Sequence, residues 1–167
     1  RCAPSVRARR GRRDPRARLI VVGDGPERED LMSDLSRRGI MKNSYLTGAV
    51  SPEEVPGLLA SMDVGVAPYP EEAGFYFSPL KLFEYMACGV AVVATRAGQI
   101  GELLRDGKTG ALCPPGDVDA LTEACDRLLK KPRLRLSLGK AAANLVRRKY
   151  TWARNAERAV ALAGSLR

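Results

Sequence analysis

Short apolar runs of about strand length alternate with segments of helical periodicity along most of this chain. Most of these runs are apolar throughout, as is typical of strands that are buried on both faces of a sheet. The five predicted strands are residues 18–22, 45–47, 63–67, 90–94 and 110–113. Their alternation with helices predicts a Rossmann-like doubly wound parallel sheet of the α/β class, covered by helices on both faces.

Capping residues and glycines indicate where the helices begin and end. The predicted helices cover about residues 26–38, 52–62, 79–87, 100–105, 117–130 and 151–162, and another follows residue 132. Their expected N-terminal caps are Asp24 (with Glu27), Ser51 (with Glu54), Asp117 and Thr151. Gly39 and Gly89 are expected to end the helices before them. The turns after several strands carry Gly, Pro and Asp, and ligands of open α/β sheets bind at that edge.

The net charge of +9 belongs mostly to the first 18 residues. That segment contains eight Arg and one Asp, whereas the remainder carries 20 basic and 18 acidic residues. An arginine-rich run can bind nucleic acid or an anionic membrane. No aromatic or glycine-rich pattern accompanies it, so we expect a solvated tail and no nucleic-acid partner. The predicted organisation is a poorly ordered basic tail (1–17), an α/β domain (18–131) and C-terminal helices packed on it (132–167).

The chain contains no histidine, which removes the commonest metal ligand and general base. Its four cysteines lack the short spacing of a zinc site, and Cys88 and Cys113 are expected to be small core residues. No apolar run approaches the ~20 residues of a membrane-spanning helix, and no signal peptide is predicted. We therefore expect a cytoplasmic protein, either free or peripherally associated with the inner face of the membrane.

Two glycine-containing motifs resemble phosphate-binding sequences only in part. Gly23-Asp24-Gly25 begins like a dinucleotide-binding fingerprint, but Arg28 stands where the third glycine would be. A simple turn before a capped helix and a turn that lines a nucleotide pocket both remain open. Gly107-Lys108-Thr109 resembles the end of a P-loop, but it follows a helix and precedes a strand. We therefore interpret the second motif as a tight turn.

Aromatic residues are concentrated before and within the third helix, since six of the nine lie between residues 69 and 85. Lys81 and Glu84 are three positions apart near the start of this helix, so they share a face. Free N–H groups at a helix N-terminus bind anions, and a carboxylate one turn further can accept hydrogen bonds from sugar hydroxyls. A surface ion pair between Lys81 and Glu84 explains the same spacing equally well.

Several motifs in a fixed order resemble the family-4-type glycosyltransferases of the GT-B fold, also called glycosyl transferases group 1. The motifs are VVGDGP (21–26), LTG (46–48), DVGVAP (63–68), KLFEYMACGVAVVAT (81–95), GKTG (107–110), PPGD (114–117) and YTW (150–152). The resemblance covers residues 18–163 and concerns the C-terminal, donor-binding half of that fold. It implies transfer of a hexose-type sugar, with retention, from a UDP-, GDP- or ADP-linked donor. The implied acceptor is a glycan, a lipid or a small molecule, and neither a metal nor another cofactor is implied.

The resemblance also implies the roles of individual residues. Glu84 would bind the ribose hydroxyls, and the N–H groups near Leu80 and Lys81 would hold the diphosphate. Lys81 would act catalytically by stabilising the departing diphosphate, and the turn around residues 48–51 would contact the base. The implied donor-binding residues are Gly23, Gly25, Gly48, Val50, Phe77, Ser78, Leu80, Glu84 and Gln99.

The chain departs from the family pattern in three places. Tyr76 stands where the family has the first of two glutamates, which contacts the donor sugar, and a phenol does not supply that negative charge. Glu71, Glu72 or Lys81 could take part of this role. Gln99 replaces the second glycine of a family turn, as an ordinary turn residue or as a donor contact. The basic strand and the acceptor-binding N-terminal domain that precede this half in the family have no counterpart here.

The resemblance therefore implies an N-terminal GT-B domain as partner, and a chain that binds donor weakly and does not turn over alone. A degenerate, non-catalytic nucleotide-sugar-binding module is the principal alternative. A nucleotide-sugar epimerase or a phosphorylase shares the architecture. A phosphorylase would need a cofactor-binding lysine motif, which is not visible, and a hydrolytic epimerase would be expected to use histidine.

Overall fold

A computed structural model of the chain describes residue 14, residues 16–69 and residues 79–165. It divides into two compact units. The N-terminal unit comprises Val6–Leu58, and the C-terminal unit includes Leu59–Arg167.

Every predicted strand and helix has a counterpart among the described residues. The strands are β1 (Leu19–Val21), β2 (Ser44–Leu46), β3 (Val64–Ala67), β4 (Ala91–Thr95) and β5 (Ala111–Cys113). The helices are α1 (Arg28–Arg37), α2 (Val55–Ala60), α3 (Leu80–Ala87), α4 (Ile100–Leu103), α5 (Val118–Lys130), α6 (Pro132–Lys149) and α7 (Trp152–Ser165). A short 3₁₀ helix at Met41–Asn43 was not predicted. All strand pairs are parallel, which confirms the predicted sheet type.

The N-terminal unit is built on the parallel pair β1–β2, in which Val21 lies opposite Leu46. The start of α1 differs from the prediction. The helix begins at Arg28, Glu27 makes no side-chain cap, and the Asp24 carboxylate instead accepts a hydrogen bond from the Gly25 N–H at 2.8 Å. A turn closed by the Arg28 N–H and the Gly25 carbonyl, at 3.1 Å, separates Asp24 from the helix, so the predicted Asp24 cap is wrong.

The capping interaction before α2 is present, but the helix starts later than expected. The Ser51 N–H donates to the Glu54 carboxylate at 3.0 Å, and this hydrogen bond lowers the pKa of Glu54. Residues 52–54 form turns, so α2 is confined to Val55–Ala60. Proline at position 56 lacks an N–H donor, which is tolerated because it lies in the first turn of the helix.

The C-terminal unit is built around a three-stranded sheet with β4 in the centre, between β3 and β5. All five residues of β4 are buried, and alternate residues pack against opposite layers. Val92 and Ala94 contact the layer formed by α3, α4 and α6, whereas Ala91 and Val93 contact α5 and the first half of α6. The expectation of helices on both faces is therefore confirmed for this sheet.

Helix α6 crosses the end of α3 at close range. Gly139 lies directly over Gly89, where a Cβ atom on Gly139 would approach the Gly89 carbonyl carbon to 2.9 Å and its oxygen more closely still. Gly89 has φ = +73° and ends α3 as predicted, with the Val90 N–H bonded to the Tyr85 carbonyl at 3.0 Å. This close contact between backbones positions α6 against α3.

The remaining helix ends agree with the sequence. Asp117 caps α5 by accepting from the Ala120 N–H at 2.8 Å, and Thr151 caps α7 by accepting from the Arg154 N–H at 3.2 Å. Gly39 ends α1 with φ = +67°. Cys113 is buried in the core as expected, but Cys88 is only half-buried, because it follows the last residue of α3 at the edge of the packed layer.

Helix α7 contributes no fully buried residue. Trp152, Val160 and Leu162 on this helix are largely exposed. None of the helices in the described ranges is both long and apolar enough to cross a membrane.

Candidate functional site

The first turn of α3 offers backbone donors. Pro79 precedes the helix and has no N–H, and its carbonyl accepts from the Leu82 N–H at 2.9 Å. Among the described residues, no acceptor is recorded for the N–H groups of Leu80 and Lys81. Leu80 itself is 60 % exposed. The helix therefore begins with two adjacent free donors at an accessible edge of the C-terminal unit.

Lys81 is held by an aromatic ring. Its ammonium nitrogen lies 4.7 Å from the centroid of the Tyr69 ring, which is within the range of a cation–π contact. Tyr69 is fixed by the buried Thr95 at the end of β4, whose hydroxyl accepts from the Tyr69 N–H at 2.8 Å and donates to its carbonyl at 2.7 Å. Burial also raises the pKa of the Tyr69 phenol, with a smaller contribution from Tyr85. Thr95 and Tyr69 together support the Lys81 ammonium group.

Glu84 lies one turn further along α3 and is exposed. The described residues include no ion pair between Glu84 and Lys81, so the alternative of a surface ion pair is not observed. The next residue, Tyr85, packs so closely on β3 that a Cβ atom at Gly65 would lie 2.8 Å from its ring. Burial, and to a smaller extent the Glu84 charge, raise the pKa of Tyr85. The Glu84 carboxylate is thus available to a ligand.

A small cavity of about 80 Å³ adjoins the start of α3. It is lined by Pro79, Phe83, Gln99, Glu102, Leu103 and Tyr150. The rings of Phe83 and Tyr150 pack at 5.3 Å between centroids, which joins α3 to the end of α6. Gln99 lies at the N-terminal end of α4, immediately after Gly98 with φ = +47°. The structure therefore brings Gln99 into the surroundings of α3, and its role as a donor contact stays a prediction.

The turn predicted to contact the base meets a second turn with predicted donor-binding residues within the N-terminal unit. Gly23 and Gly48 form an isolated bridge just beyond β1 and β2. The Thr47 hydroxyl accepts from the Gly23 N–H at 3.1 Å and donates to the Gly48 carbonyl at 2.8 Å. Gly25 and Val50 lie in the two turns that continue from this bridge. The four residues belong to one end of the β1–β2 pair.

Arg28 is a candidate that the sequence analysis did not include. A Cβ atom on Gly48 would lie 3.5 Å from the Arg28 Nη1 atom, which places the guanidinium beside the Gly23–Gly48 bridge. Nη1 is buried and has no hydrogen-bond partner among the described residues. A buried, unpartnered cationic donor is costly unless a ligand satisfies it. The signal was present in the sequence, because arginine stands where a dinucleotide fingerprint would place glycine.

Three predicted site residues lie outside the described residues: Tyr76, Phe77 and Ser78. The same holds for Glu71 and Glu72, which were considered as substitutes for the missing family glutamate. Lys81, Leu80 and Glu84 share the first turns of α3, and Gln99 lies near that helix through the small cavity.

Comparison with known proteins identifies the architecture. A family model described as "Glycosyl transferases group 1" matches residues 1–131. A GDP-mannose-dependent alpha-(1-6)-phosphatidylinositol monomannoside mannosyltransferase of Mycolicibacterium smegmatis is 36% identical over 144 residues, which are 84% of this chain and 38% of that protein. A sulfoquinovosyl transferase of Arabidopsis thaliana is 36% identical over 141 residues, 83% of this chain and 26% of that protein. The chain thus spans well under half the length of these relatives.

Solved structures give the same result. A sucrose-phosphate synthase from Thermosynechococcus elongatus superimposes with a TM-score of 0.81 and 26% identity, over 92% of this chain and 39% of that chain. The Anabaena protein HepE, in complex with UDP-glucose, superimposes with a TM-score of 0.74 and 25% identity, over 90% and 42% of the two chains. The predicted fold class, the C-terminal half of a GT-B fold, is confirmed.

Proposed function

Because this chain belongs to the glycosyl transferases of group 1, as its motifs predicted, we propose that it is the donor-binding part of a retaining glycosyltransferase. Its substrate in this role is a UDP-, GDP- or ADP-linked hexose, bound without a metal. The relatives it matches are more than twice as long. The proposal therefore includes an N-terminal GT-B domain that carries the acceptor site, and it assigns turnover to the two domains together. Within the chain, it assigns residues 18–131 to the donor domain and residues 132–167 to helices packed on it.

One observation carries the proposal: α3 begins with two N–H groups that have no acceptor among the described residues, beside an ammonium group held by an aromatic ring. The donors are those of Leu80 and Lys81, and the ammonium is held over Tyr69. A diphosphate accepts hydrogen bonds from a helix N-terminus and is attracted by the positive end of its dipole. As the sugar is transferred, negative charge develops on the departing diphosphate, and donors already in place stabilise that charge.

Glu84 is assigned to the ribose. Its carboxylate is exposed on the turn of α3 that follows these N–H groups, and no ion pair involves it within residues 16–69 and 79–165. An ionised carboxylate accepts hydrogen bonds from two hydroxyls, and such charge-assisted bonds are stronger than those between neutral groups. Gln99 is assigned to the donor sugar or to a phosphate, since it lies at the cavity next to Pro79.

The turns of the N-terminal unit are assigned to the base. Gly23 and Gly48 are bridged and carry no side chains of their own, so a flat base can approach their backbones beside the Arg28 guanidinium. The buried Nη1 atom of Arg28 supplies a donor toward a carbonyl of the base. This assignment adds a cation to the predicted donor-binding residues.

The donor base and the acceptor differ among the relatives, so the donor of this chain has to be found by binding measurements. One relative is named for GDP-mannose and for a phosphatidylinositol mannoside acceptor, and HepE was solved with UDP-glucose. Binding of UDP-glucose, GDP-mannose and ADP-glucose to this chain, measured in parallel, identifies the base. Peripheral association with the inner face of the membrane belongs to the proposal, because a lipid-linked acceptor would require it.

The test is the substitution Glu84→Gln, with Glu123→Gln on the exposed face of α5 as a matched control. Loss of a charge-assisted hydrogen bond costs about 1.5–3 kcal/mol, so donor affinity should fall about 10- to 150-fold. Glu123→Gln should leave the affinity unchanged, since Glu123 is distant from α3 in the fold. Isothermal calorimetry with the tightest of the three donors measures both. Equal affinities of Glu84→Gln and the unaltered chain would refute the assignment.

A non-catalytic binding module is the second candidate, and Tyr76 favours it. The family has a glutamate at this position, and a tyrosine does not supply its charge. Both candidates bind donor, so only turnover separates them. In the full-length protein, Tyr76→Glu should raise transfer greatly if the module is degenerate. If the native enzyme is active and Tyr76→Glu lowers that activity, the degenerate module is excluded.

A further inference from the structure

A second concave surface lies between α6 and the turn that precedes β5, next to the small cavity, with which it shares Glu102, Leu103 and Tyr150. It encloses about 350 Å³, a volume within the range of small-molecule sites. One wall is the turn Arg105–Thr109, and the other is the last part of α6. We call it the basic groove, because four of its lining residues are cations: Arg105, Lys108, Arg148 and Lys149.

The groove has an excess of positive charge that the described residues do not neutralise. Glu102 is the acidic residue among its lining residues, so four cations face one carboxylate. None of the four cations takes part in an ion pair recorded among the described residues. The turn contains a second carboxylate, Asp106, but that group accepts from the Leu112 N–H at 2.9 Å and does not line the groove. Like charges gathered in one concavity repel one another unless an anion is bound.

Hydrogen bonds fix the backbone of the turn that carries two of the cations, Arg105 and Lys108. The N–H groups of Lys108 and Thr109 both donate to the Arg105 carbonyl, at 3.0 and 2.9 Å. The Thr109 hydroxyl accepts from the Arg105 N–H at 2.9 Å, and Thr109 is almost fully buried. The turn is therefore braced by three hydrogen bonds, and the backbones at Arg105 and Lys108 are fixed.

The helix dipole accounts for only part of this cluster. Cations at the end of α6 are favoured by the negative end of its dipole. Arg147 satisfies that preference equally and does not line the groove, and Arg158 already donates to the Lys149 carbonyl at 2.6 Å. Arg105 and Lys108 belong to a different element, where the dipole of α6 gives no reason for positive charge.

We propose that the basic groove binds a phosphate-bearing anion through Arg105, Lys108, Arg148 and Lys149. Guanidinium and ammonium groups converging from two elements can contact several phosphate oxygens at once, with charge-assisted hydrogen bonds. The ligand chemistry is a phosphomonoester or diphosphate, carried either by a soluble molecule or by a lipid headgroup. The groove shares three lining residues with the small cavity, but Lys81, Glu84 and Gln99 do not line it, so the proposal can be tested whether or not a donor binds at α3.

The test follows the amide signals of Thr109 and Leu145 by NMR while the full chain is titrated with pyrophosphate. The paired change Arg105→Gln/Lys108→Gln should weaken the affinity at these signals by about tenfold or more, as expected for loss of two charge-assisted contacts. Arg147→Gln is the matched control, because it removes one cation from the same helix end without touching the groove. The arginine-rich tail is present in every variant, so differences among variants report the groove.

A second arm separates the two sources of phosphate. Vesicles of phosphatidylcholine with and without phosphatidic acid, whose headgroup is a phosphomonoester, are mixed with the same variants, and sedimentation measures binding. Groove-dependent binding to pyrophosphate alone assigns a soluble ligand, and groove-dependent binding to the anionic vesicles assigns a headgroup. If Arg147→Gln weakens binding as much as the paired change, or if neither probe binds in a groove-dependent way, the proposal is overturned. Circular dichroism confirms that each variant is folded.

Discussion

Replacing Gly139 by alanine should destabilise the protein, although alanine is the better helix former. The Cβ atom would lie 2.9 Å from the Gly89 carbonyl carbon, nearer still to its oxygen, and 3.4 Å from the Ala91 nitrogen. All of these are backbone atoms, so no flexible side chain can move aside. Helix α6 must shift away from the end of α3 and the start of β4.

The magnitude follows from two opposing terms. Overpacking in a dense core costs about 1–3 kcal/mol, whereas alanine gains about 1 kcal/mol over glycine in a helix interior. Backbone atoms move aside less readily than side chains do, so the overpacking cost lies in the upper part of its range. We therefore expect a net loss of about 1–2 kcal/mol in the free energy of unfolding. For a domain of this size, each kcal/mol lowers the melting temperature by about 2–4 °C.

Urea unfolding followed by circular dichroism measures this loss, and Gly57→Ala in α2 is the matched control. No heavy atom lies within 4 Å of a Cβ at Gly57. The same chemical change should therefore raise the free energy of unfolding there, by about 0.5–1 kcal/mol. If Gly139→Ala were as stabilising as Gly57→Ala, the close crossing of α6 over Gly89 would be refuted.

Two further predictions concern single side chains. Tyr69→Leu should lower donor affinity about 2- to 30-fold, since a cation–π contact is worth about 0.5–2 kcal/mol. Tyr69→Phe keeps the ring and should retain the affinity. Equal losses of affinity in the two variants, measured by calorimetry, would show that the ring does not support Lys81. Burial raises the pKa of the Cys125 thiol to about 11, so the folded state favours the protonated form. This stabilisation is complete below about pH 9, the ordinary range of a thiol, and is lost as the pH rises through about 11. Over that pH window, the free energy of unfolding should fall less steeply with pH in Cys125→Ala than in the unaltered chain. Identical slopes in the two proteins would contradict the burial of Cys125.

The order of strands and helices could be predicted from the sequence because local signals and burial agree. Strand β4 is apolar throughout and is buried on both faces, and Asp117 and Thr151 cap the helices that they precede. Where the prediction failed, two local signals competed. Asp24 was expected to cap α1, but residues 25–28 form a turn where the first turn of the helix was expected, so α1 begins at Arg28.

The contacts of the candidate site required the structure. Spacing places Lys81 and Glu84 on one face of α3, but it does not show that Tyr69 lies beneath the Lys81 ammonium group. Arg28 reaches Gly48 through the pairing of β1 with β2, and the basic groove joins residues about 40 positions apart. Such long-range neighbours follow from the packing of elements, which short sequence patterns do not specify.

The central claim is that a nucleotide-sugar donor binds at the start of α3. Titration of the isotope-labelled chain with UDP-glucose, GDP-mannose and ADP-glucose tests it most directly. At least one donor should shift the amide signals of Leu80 and Lys81 strongly and saturably, and Glu84→Gln should weaken that titration about 10-fold or more. Saturable shifts that leave Leu80 and Lys81 unaffected, or no shifts with any of the three donors, would contradict the account.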